Sequence, residues 1–233
     1  MPEKNHLTIL FEDDDVLLIS KPGGLATQAP RPFDSLEARI RSYLLGQIPP
    51  DRIPYLGIPH RLDRCASGVM VFTKRVKAAR RLAKQFERRE VRKSYFALVH
   101  GNLVEDQGTW QDYLRKIPNV ARAEVVTEGH PDARAAVLHY TVASRNHSTC
   151  LLQIQLETGR MHQIRVQAAS RGLPIWGDEM YGSNVSFGPP SDEPRERWIA
   201  LHASELGFQH PKSRENLRYI APLPACWPTC VDT

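Results

Sequence analysis

The sequence of 233 residues contains no long apolar run. Its longest uncharged apolar stretches are only a handful of residues, whereas a helix that spans a bilayer needs about 20. The opening segment MPEKNHLTIL also lacks the apolar core of a secretory signal. There is no low-complexity tract, and the share of hydrophobic residues is that of an ordinary globular domain. We therefore expect a cytoplasmic globular protein without a membrane partner.

Cysteine is scarce, and the four cysteines include no Cys-x-x-Cys pair. Cys226 and Cys230 are four positions apart near a proline-rich end, but no His or Cys pair stands near them. A structural zinc site is built from such paired ligands, so the sequence indicates none. We predict free structural thiols in a reducing compartment.

Positive charge, in contrast, is concentrated in one segment. Between Lys74 and Lys93 there are ten lysine and arginine residues against two glutamates, although the whole chain carries a net charge of only +5. The remainder of the chain is therefore slightly acidic. A local basic run of this kind is typical of a surface that binds a polyanion. The alternative is an ordinary solvated helix face, but the density of one sign of charge favours nucleic acid.

The hydrophobic pattern predicts one α/β domain of the α+β type over residues 1–233, which can be built of two halves. Alternating or continuous apolar runs predict a mostly antiparallel sheet with strands at 7–20 (two strands), 69–73, 93–101, 136–143, 150–157, 204–208 and 217–220, with a weak signal at 123–127. Helical spacing and capping residues predict helices that begin near Asp34 or Ser35, cover 75–90, and cover about 161–171. The remaining segments 47–59, 102–136 and 183–196 read mainly as loops.

Two charged stretches stand at the ends of predicted strands. HRLDRCASG at residues 60–68 places Asp63 before the strand at 69–73, and ETGRMHQIR at residues 157–165 precedes the last helix. If that helix begins near Met161, His162 and Arg165 share a face, which suits an anion or a polar base edge. By itself, each stretch is more often a surface turn or an exposed helix end, and Tyr95 inside a strand is more often a core aromatic.

Six short motifs follow one another between about residue 9 and residue 211. The first three are Asp15-x-x-Leu18-x-x-x-Lys21-Pro22-x-Gly24-Leu25, His60-Arg61-Leu62-Asp63-Arg64-x-x-Ser67-Gly68 and Lys93-x-Tyr95-x-Ala97-Leu98-Val99-x-Gly101. The last three are Gly159-Arg160-x-His162-Gln163-Ile164-Arg165-Val166, Pro174-Ile175-x-Gly177-Asp178-x-x-Tyr181-Gly182, and Leu201-His202-Ala203 with Phe208-x-His210-Pro211. In this order they resemble the RluA family of pseudouridine synthases, and the resemblance covers nearly the whole chain.

The resemblance implies the pseudouridine synthase fold, in which a mixed, mostly antiparallel central sheet is flanked by helices and loops. It also implies that uridine in RNA is isomerised: the C1′–N1 bond breaks, the uracil turns, and C5 bonds to C1′. The family uses neither a cofactor nor a metal, which fits the absence of a Gly-rich phosphate loop and of a metal-ligand cluster in this sequence.

The resemblance also implies the partner. RNA, either ribosomal or transfer RNA, would be the substrate, and nothing in the sequence suggests an obligate protein partner, so we expect a monomer. Because strand-like sequence begins by residue 7, we expect no S4-type RNA-binding domain, and the catalytic domain would find its RNA mostly by itself.

The matched motifs imply roles for individual residues. Asp63 would be the catalytic aspartate, acting as nucleophile at C1′ or as base at C2′. Tyr95 would lie against the target uracil and help with proton transfer from C5, while Arg165 would pair with Asp63. An adjacent arginine favours the ionised carboxylate that this chemistry needs, and an aromatic ring gives a flipped base a stacking surface. Arg61 is a candidate for filling the space that the base leaves.

Ten basic or polar side chains in the two charged stretches and on the basic helix are candidates for RNA contact. They are His60, Arg61, Arg64, Lys77, Arg80, Arg81, Lys84, Arg160, His162 and Gln163. The helix over 75–90 would attract the RNA backbone, and that attraction should weaken with added salt.

The sequence departs from the family pattern at two places. Cys65-Ala66 stands where a threonine usually precedes Ser-Gly, and Met161 stands where threonine is common. Neither change removes a catalytic group, although both could alter loop packing or substrate choice.

Two other functions remain open at this point. One is an RNA-binding protein on the same fold that aids RNA folding and whose catalysis is lost or secondary; the presence of Asp63, Tyr95 and Arg165 argues against that loss. The other is a carboxylate-dependent hydrolase of nucleosides or sugars, which would need a second acid close to the first. No second acid stands out near the motifs, and the basic helix would be unexplained.

Overall fold

The computed structural model describes residues 6–228, which divide into two compact units. The first unit comprises the described residues up to Arg92, together with Ser191–Glu196 and Ala203–Pro224. The second unit comprises Lys93–Pro190, Arg197–His202 and the described residues from Ala225 onward. Within residues 6–228 there are ten strands and three α-helices, numbered below in chain order. No helix in this part of the chain has the length and apolarity needed to cross a membrane.

The first unit is built around strands that carry helices on both faces. Its elements are β1 (Thr8–Glu12), β2 (Val16–Lys21), α1 (Leu36–Leu45), β3 (Ser67–Thr73), α2 (Val76–Glu87), β9 (Leu201–Gln209) and β10 (Asn216–Ile220). The strand order is β1-β2-β3-β9, with β10 pairing on β9. The pairings of β1 with β2, β2 with β3 and β9 with β10 are antiparallel. The mostly antiparallel arrangement expected from the sequence is confirmed for these pairs.

The two central strands of this unit are apolar on both faces because each face is covered. One face of β2 and β3 packs with Ile40 and the other buried residues of α1, and the opposite face packs with Leu82 of α2. Strands that are buried on both sides read as continuous apolar runs rather than as an alternation. This explains why VLLIS and VMVFT predict strands without a polar face.

The helices begin close to where the sequence predicts. Ser35 caps α1, because its side-chain oxygen accepts a hydrogen bond from the backbone N–H of Ala38 at 3.2 Å. In α2 the buried residues are Ala78, Leu82 and Gln85. The amide of Gln85 donates to the carbonyl of Gln209 and accepts from its N–H, and these two bonds allow a polar side chain to be buried.

The second unit is an antiparallel sheet with one helix on it. Its elements are β4 (Arg92–His100), β5 (Gln107–Lys116), β6 (Ala123–Val126), β7 (Arg134–Arg145), β8 (Thr149–Leu156), α3 (Gln163–Ala169) and a 3-10 helix at Glu179–Tyr181. The strand order is β4-β8-β7-β5-β6. Val166 of α3 packs on Leu114, Ala123 and Ala136 of the sheet.

Two predictions for this unit are wrong in detail. The segment 102–136 contains the ten-residue strand β5, which reads as a loop because only Trp110 and Leu114 along it are buried. Pairing with β7 on one side and with β6 on the other stabilises this polar strand. The last helix covers 163–169 rather than 161–171. No disulfide joins the cysteines among residues 6–228, and Cys230 lies outside the described residues.

Gly68, at the start of β3, generates a prediction about stability. Its φ is +123°, and a Cβ at this position would overlap the backbone of Ala203 in β9. We expect Gly68→Ala to lower the free energy of unfolding by roughly 2–4 kcal/mol through strain and steric overlap. Gly129→Ala is the matched control, because a Cβ there meets nothing within 4 Å. Urea unfolding followed by circular dichroism measures both, and equal midpoints for the two variants would contradict the prediction.

Candidate active site

The loop that carries Asp63 lies in the first unit, immediately before β3. The Asp63 side chain is half-buried, and its backbone carbonyl accepts a hydrogen bond from the N–H of Ala66 at 3.2 Å, which closes a turn. The sequence prediction of a tight charged turn that leads into a strand is confirmed in this respect.

Lys21, the last residue of β2, holds this loop from inside. Its side chain is 1% exposed, and its ammonium donates to the backbone carbonyls of Arg64 at 3.2 Å and Ala66 at 2.5 Å. The same nitrogen also donates to the carbonyls of Pro22 and Leu25, at 2.8 Å each. One ammonium therefore joins the end of a buried strand to both sides of the turn.

Burial sets the protonation of this lysine. Removal from water lowers the pKa of Lys21 to about 7 from an ordinary value of 10.5, and the charges of Cys65 and Asp63 act in the opposite direction. The loop carboxylate thus belongs to the electrostatic surroundings of a buried amine whose charge changes near neutral pH.

Thr27 and His60 hold the two flanks of the same loop. The Thr27 hydroxyl donates to the carbonyl of Leu62 at 3.0 Å and accepts from the Leu62 N–H at 3.2 Å. The His60 ring accepts a hydrogen bond at Nε2 from the N–H of Val71 at 3.1 Å and stacks on Phe86 of α2, with centroids 4.8 Å apart. His60 therefore links the loop to β3 and α2, and its predicted RNA contact stays a prediction.

The basic side chains of α2 fall into two groups. Lys77, Arg80 and Lys84 are exposed and follow one another at helical spacing along one side of α2; we call them the basic stripe. Arg81 is half-buried, and its Nη1 donates to the carbonyl of Pro211 at 2.6 Å. Arg81 is thus tied to its own unit, whereas the stripe faces solvent.

The two predicted arginines of the loop itself differ in exposure. Arg61 is exposed, while Arg64 is half-buried and contributes its carbonyl to Lys21. The structure therefore brings the Asp63 loop, Arg61 and the basic stripe together in one unit, with the His60–Phe86 stack as a direct link between loop and helix.

Tyr95 and Arg165 lie in the second unit. Tyr95 is 8% exposed and stands opposite Ile154 of β8. The Arg165 guanidinium donates from Nε and Nη2 to the two carboxylate oxygens of Asp178, at 2.6 and 2.7 Å. The side chains of this pair are 5% and 1% exposed. The predicted pairing of Arg165 with Asp63 is not tested and stays a prediction.

Tyr181 joins this ion pair to the turn before α3. The Arg165 guanidinium lies over the Tyr181 ring, with Cζ of Arg165 5.0 Å from the ring centroid. The Tyr181 hydroxyl accepts a hydrogen bond from the N–H of Ala123 and donates one to the carbonyl of the same residue. The same hydroxyl is 3.0 Å from Nδ1 of His162. Burial raises the pKa of Tyr181, so the hydroxyl keeps the proton that it donates to the Ala123 carbonyl.

His162 and Gln163 occupy positions that differ from the predicted ones. His162 is the residue before α3 and has a left-handed backbone, with φ at 52°, so it does not share a helix face with Arg165. Gln163 is buried: its carbonyl oxygen accepts from the Thr158 hydroxyl and the Arg160 N–H, and its amide donates to Val137. All of these partners are internal, so this position does not support RNA contact by Gln163.

Four residues outside the predicted site hold the candidate groups in position. Lys21 and Thr27 hold the Asp63 loop, and Asp178 and Tyr181 hold Arg165. Three of them stand inside the sequence motifs, but spacing alone assigns them no partner. The Asp63 loop and Arg165 are thus each held by polar contacts within their own unit, which is the kind of preorganisation that catalysis needs.

The family model described as RNA pseudouridylate synthase matches residues 15–170 of this chain. Among curated proteins, the chain is 37% identical over 223 residues to the ribosomal large subunit pseudouridine synthase D of Nitrosomonas europaea. The aligned region covers 94% of this chain and 62% of that protein. It is 36% identical to the protein of the same name from Xanthomonas campestris, over 96% of this chain and 68% of that one. The chain therefore spans about two thirds of the length of these relatives.

Two solved human structures share the fold. RNA pseudouridylate synthase domain containing 4 superposes with a TM-score of 0.74 at 23% identity, covering 94% of this chain and 89% of that one. RNA pseudouridylate synthase domain containing 1 gives the same TM-score at 22% identity, covering 96% and 86%. The predicted fold class is confirmed by these likenesses.

The buried ammonium of Lys21 generates a prediction about pH. Between about pH 7 and 10.5 the unfolded chain binds more protons at this lysine than the folded chain does, so stability rises with pH in this window. We expect the unfolding free energy of the wild type, relative to Lys21→Met, to increase from about pH 7 towards pH 10.5. Urea titrations at several pH values measure this difference. Lys116→Met removes an exposed lysine and is the control; the same pH trend in both variants would argue against the role of burial.

Proposed function

The chain belongs to the family of RNA pseudouridylate synthases, and on this premise we propose that it isomerises uridine to pseudouridine in RNA. Relatives that carry the name ribosomal large subunit pseudouridine synthase D support the RNA of the large ribosomal subunit as the substrate. We further propose that the protein works as a cytoplasmic monomer and needs neither a cofactor nor an obligate protein partner.

The observation that carries this proposal is the internal support of the Asp63 loop. A half-buried carboxylate stands on a turn whose carbonyls are bound by the Lys21 ammonium and whose flank is bound by Thr27. A loop that only touches RNA gains nothing from burying an ammonium beneath it, since that burial is costly. A loop that must present a carboxylate to one atom of a substrate does gain, because misplacement of a reacting group slows catalysis strongly.

The reaction that we propose for Asp63 is an isomerisation without net loss of atoms. Asp63 attacks C1′ of the ribose and N1 leaves with the bonding electron pair, or Asp63 removes the proton at C2′ and the same bond breaks. The freed uracil turns so that C5 faces C1′ and forms the new bond. In the first route this breaks the ester bond between Asp63 and C1′ and frees the carboxylate, and in the second route Asp63 returns the proton to C2′. C5 then loses its proton, and the nitrogen that left takes one up.

Tyr95 and Arg165 have separate proposed roles. The Tyr95 ring would lie against the uracil after the base has left its stack, and its hydroxyl would take part in moving the C5 proton. Arg165 would stabilise the ionised form of Asp63. Its pairing with Asp178 supports this role, because the second carboxylate fixes the guanidinium in a buried position.

Binding of the RNA is proposed for the exposed cations of the first unit. Lys77, Arg80 and Lys84 would contact backbone phosphates, and Arg61 would fill the space of the flipped base. A target base in paired RNA must leave its stack before the carboxylate can reach C1′, so phosphate contacts on both sides of it would hold the RNA during that step.

The second candidate function is an RNA-binding protein that aids RNA folding and in which conversion of uridine is lost or secondary. The basic stripe favours RNA binding under either function. The supported Asp63 loop favours the enzyme, because folding assistance does not require a fixed carboxylate.

Asp63→Asn separates the two functions. We expect this variant to lose pseudouridine formation on an unmodified transcript of large-subunit ribosomal RNA while its RNA affinity stays within a few fold, since only one charge of a half-buried group is removed. Chemical mapping of pseudouridine and a filter-binding assay measure the two quantities. Asp51→Asn, which changes an exposed acid in a neighbouring loop, is the matched control and should convert like the wild type.

Two results would contradict the assignment. Full conversion by Asp63→Asn or Asp63→Ala would exclude Asp63 as the catalytic group. A wild-type protein that binds the transcript tightly but forms no pseudouridine would favour the folding function.

Arg80 and Arg81 provide a test variant and a matched control for RNA binding by the basic stripe. The two residues are neighbours on one helix and carry the same charge, but Arg80 is exposed whereas Arg81 donates to the Pro211 carbonyl. We expect Arg80→Gln to reduce the slope of log affinity against log salt by about 1 through loss of a phosphate contact. Arg81→Gln should instead lower the melting temperature and leave the slope unchanged. The reverse pattern would mean that the RNA lies on another side of the helix.

A further inference from the structure

Lys93 carries a positive charge that nothing within the described residues neutralises. It is the second residue of β4 and lies on the same face of that strand as Tyr95, two positions away. Its side chain is half-buried, and burial lowers the pKa of its ammonium. Across residues 6–228 this ammonium makes neither a hydrogen bond nor an ion pair.

The ammonium of Lys93 lies next to a glycine turn. A Cβ built on Gly159 would stand 3.4 Å from the Lys93 nitrogen, so the ammonium lies directly beside the turn between β8 and α3. Glycine at this turn places no side chain against the ammonium. Glu157, two residues before the glycine, lies with its carboxylate 3.5 Å from the ring of His139.

Arg160 supplies a second cation at the same turn. Its Nε donates to the carbonyl of Ala135 at 2.9 Å, which fixes the guanidinium. Its two terminal nitrogens make no hydrogen bond to any residue between 6 and 228, so they are available to a ligand. Two cations therefore flank Gly159, and one of them is anchored.

An arrangement of this kind points to an anion that comes from outside the protein. Burial of an ammonium without a partner is unfavourable for folding, so stability alone does not explain Lys93. An ammonium acts as a compact point charge and a guanidinium offers paired donors, and together they suit the oxygens of a phosphate group. Residues two apart on a strand are about 7 Å apart, which is within the reach of one nucleotide.

We propose that Lys93 and Arg160 bind a backbone phosphate of the RNA beside the uridine that stacks on Tyr95. The inference rests on the proposed function, because it takes RNA as the ligand and Tyr95 as the residue that contacts the base. It adds a phosphate subsite in the second unit to the basic stripe of the first. Lys93 thereby binds the phosphate of the nucleotide that reacts or of its neighbour.

The test compares Lys93→Met with Lys116→Met. Methionine keeps the length of the side chain and removes the charge, and Lys116 is an exposed lysine of the same unit. Affinity for an unmodified transcript of large-subunit ribosomal RNA is measured across a series of potassium chloride concentrations. We expect Lys93→Met to bind about tenfold more weakly at low salt and to reduce the salt slope by about 1. Lys116→Met should leave both quantities unchanged.

Thermal unfolding of the same variants separates a binding role from a structural one. Lys93→Met should melt at the same temperature as the wild type or higher, because an unpaired half-buried charge has been removed. Arg160→Gln should reduce the salt slope in the same way as Lys93→Met. A lower melting temperature for Lys93→Met with an unchanged slope would give Lys93 a structural role and overturn the inference.

The remaining outcomes distinguish this inference from the proposed function. If the wild type converts the transcript but Lys93→Met and Lys116→Met have equal slopes, the phosphate subsite is wrong and the enzyme assignment stands. If the wild type neither binds nor converts the transcript, the proposed function fails first, and the subsite fails with it.

Discussion

The buried ammonium of Lys21 is the interaction on which the first unit's candidate chemistry depends. It is 1% exposed, yet it is surrounded by four backbone carbonyls, two of which belong to the Asp63 turn. Carbonyl groups that point inward need donors, and a lysine at the end of β2 supplies several at one point. Without it, the turn would have to rotate its carbonyls towards water. The position of the Asp63 carboxylate therefore follows from the hydrogen-bonding needs of its own backbone.

The second unit meets the same requirement with a different device. Arg165 is buried, and a buried charge is tolerated only when it is paired and hydrogen-bonded. Asp178 supplies the paired oxygens, and the ring of Tyr181 covers the guanidinium. The Tyr181 hydroxyl in turn binds the backbone of Ala123. The first unit thus fixes the Asp63 turn through its backbone carbonyls, and the second fixes Arg165 by pairing its guanidinium. A substitution of the supporting residue therefore acts on the candidate group rather than on substrate contacts.

Sequence patterns predicted the strands well where most side chains are buried. They predicted them poorly where few side chains are buried and hydrogen bonds to neighbouring strands supply the stability. The continuous apolar strands β2 and β3 were predictable because both of their faces are covered. The strand β5 was not, since few of its residues are buried and its stability comes from pairing on both sides. Motif matching selected the Asp63 loop as a candidate. It could not reveal that Gln163 is buried or that Lys21 binds the loop, because hydrogen-bond partners far apart in the chain leave no periodic signal.

Lys21 and Lys93 show how burial can be read as a functional signal. Removal from water lowers the pKa of both amines. Lys21 meets carbonyls on several sides, so its burial is explained by the fold that it stabilises. Lys93 meets no partner within residues 6–228 and lies beside the glycine turn before α3. A buried charge that the fold satisfies is structural, whereas one that the fold leaves unsatisfied is unfavourable until a ligand arrives. The difference between these two lysines is therefore the physical basis for placing a phosphate next to Tyr95.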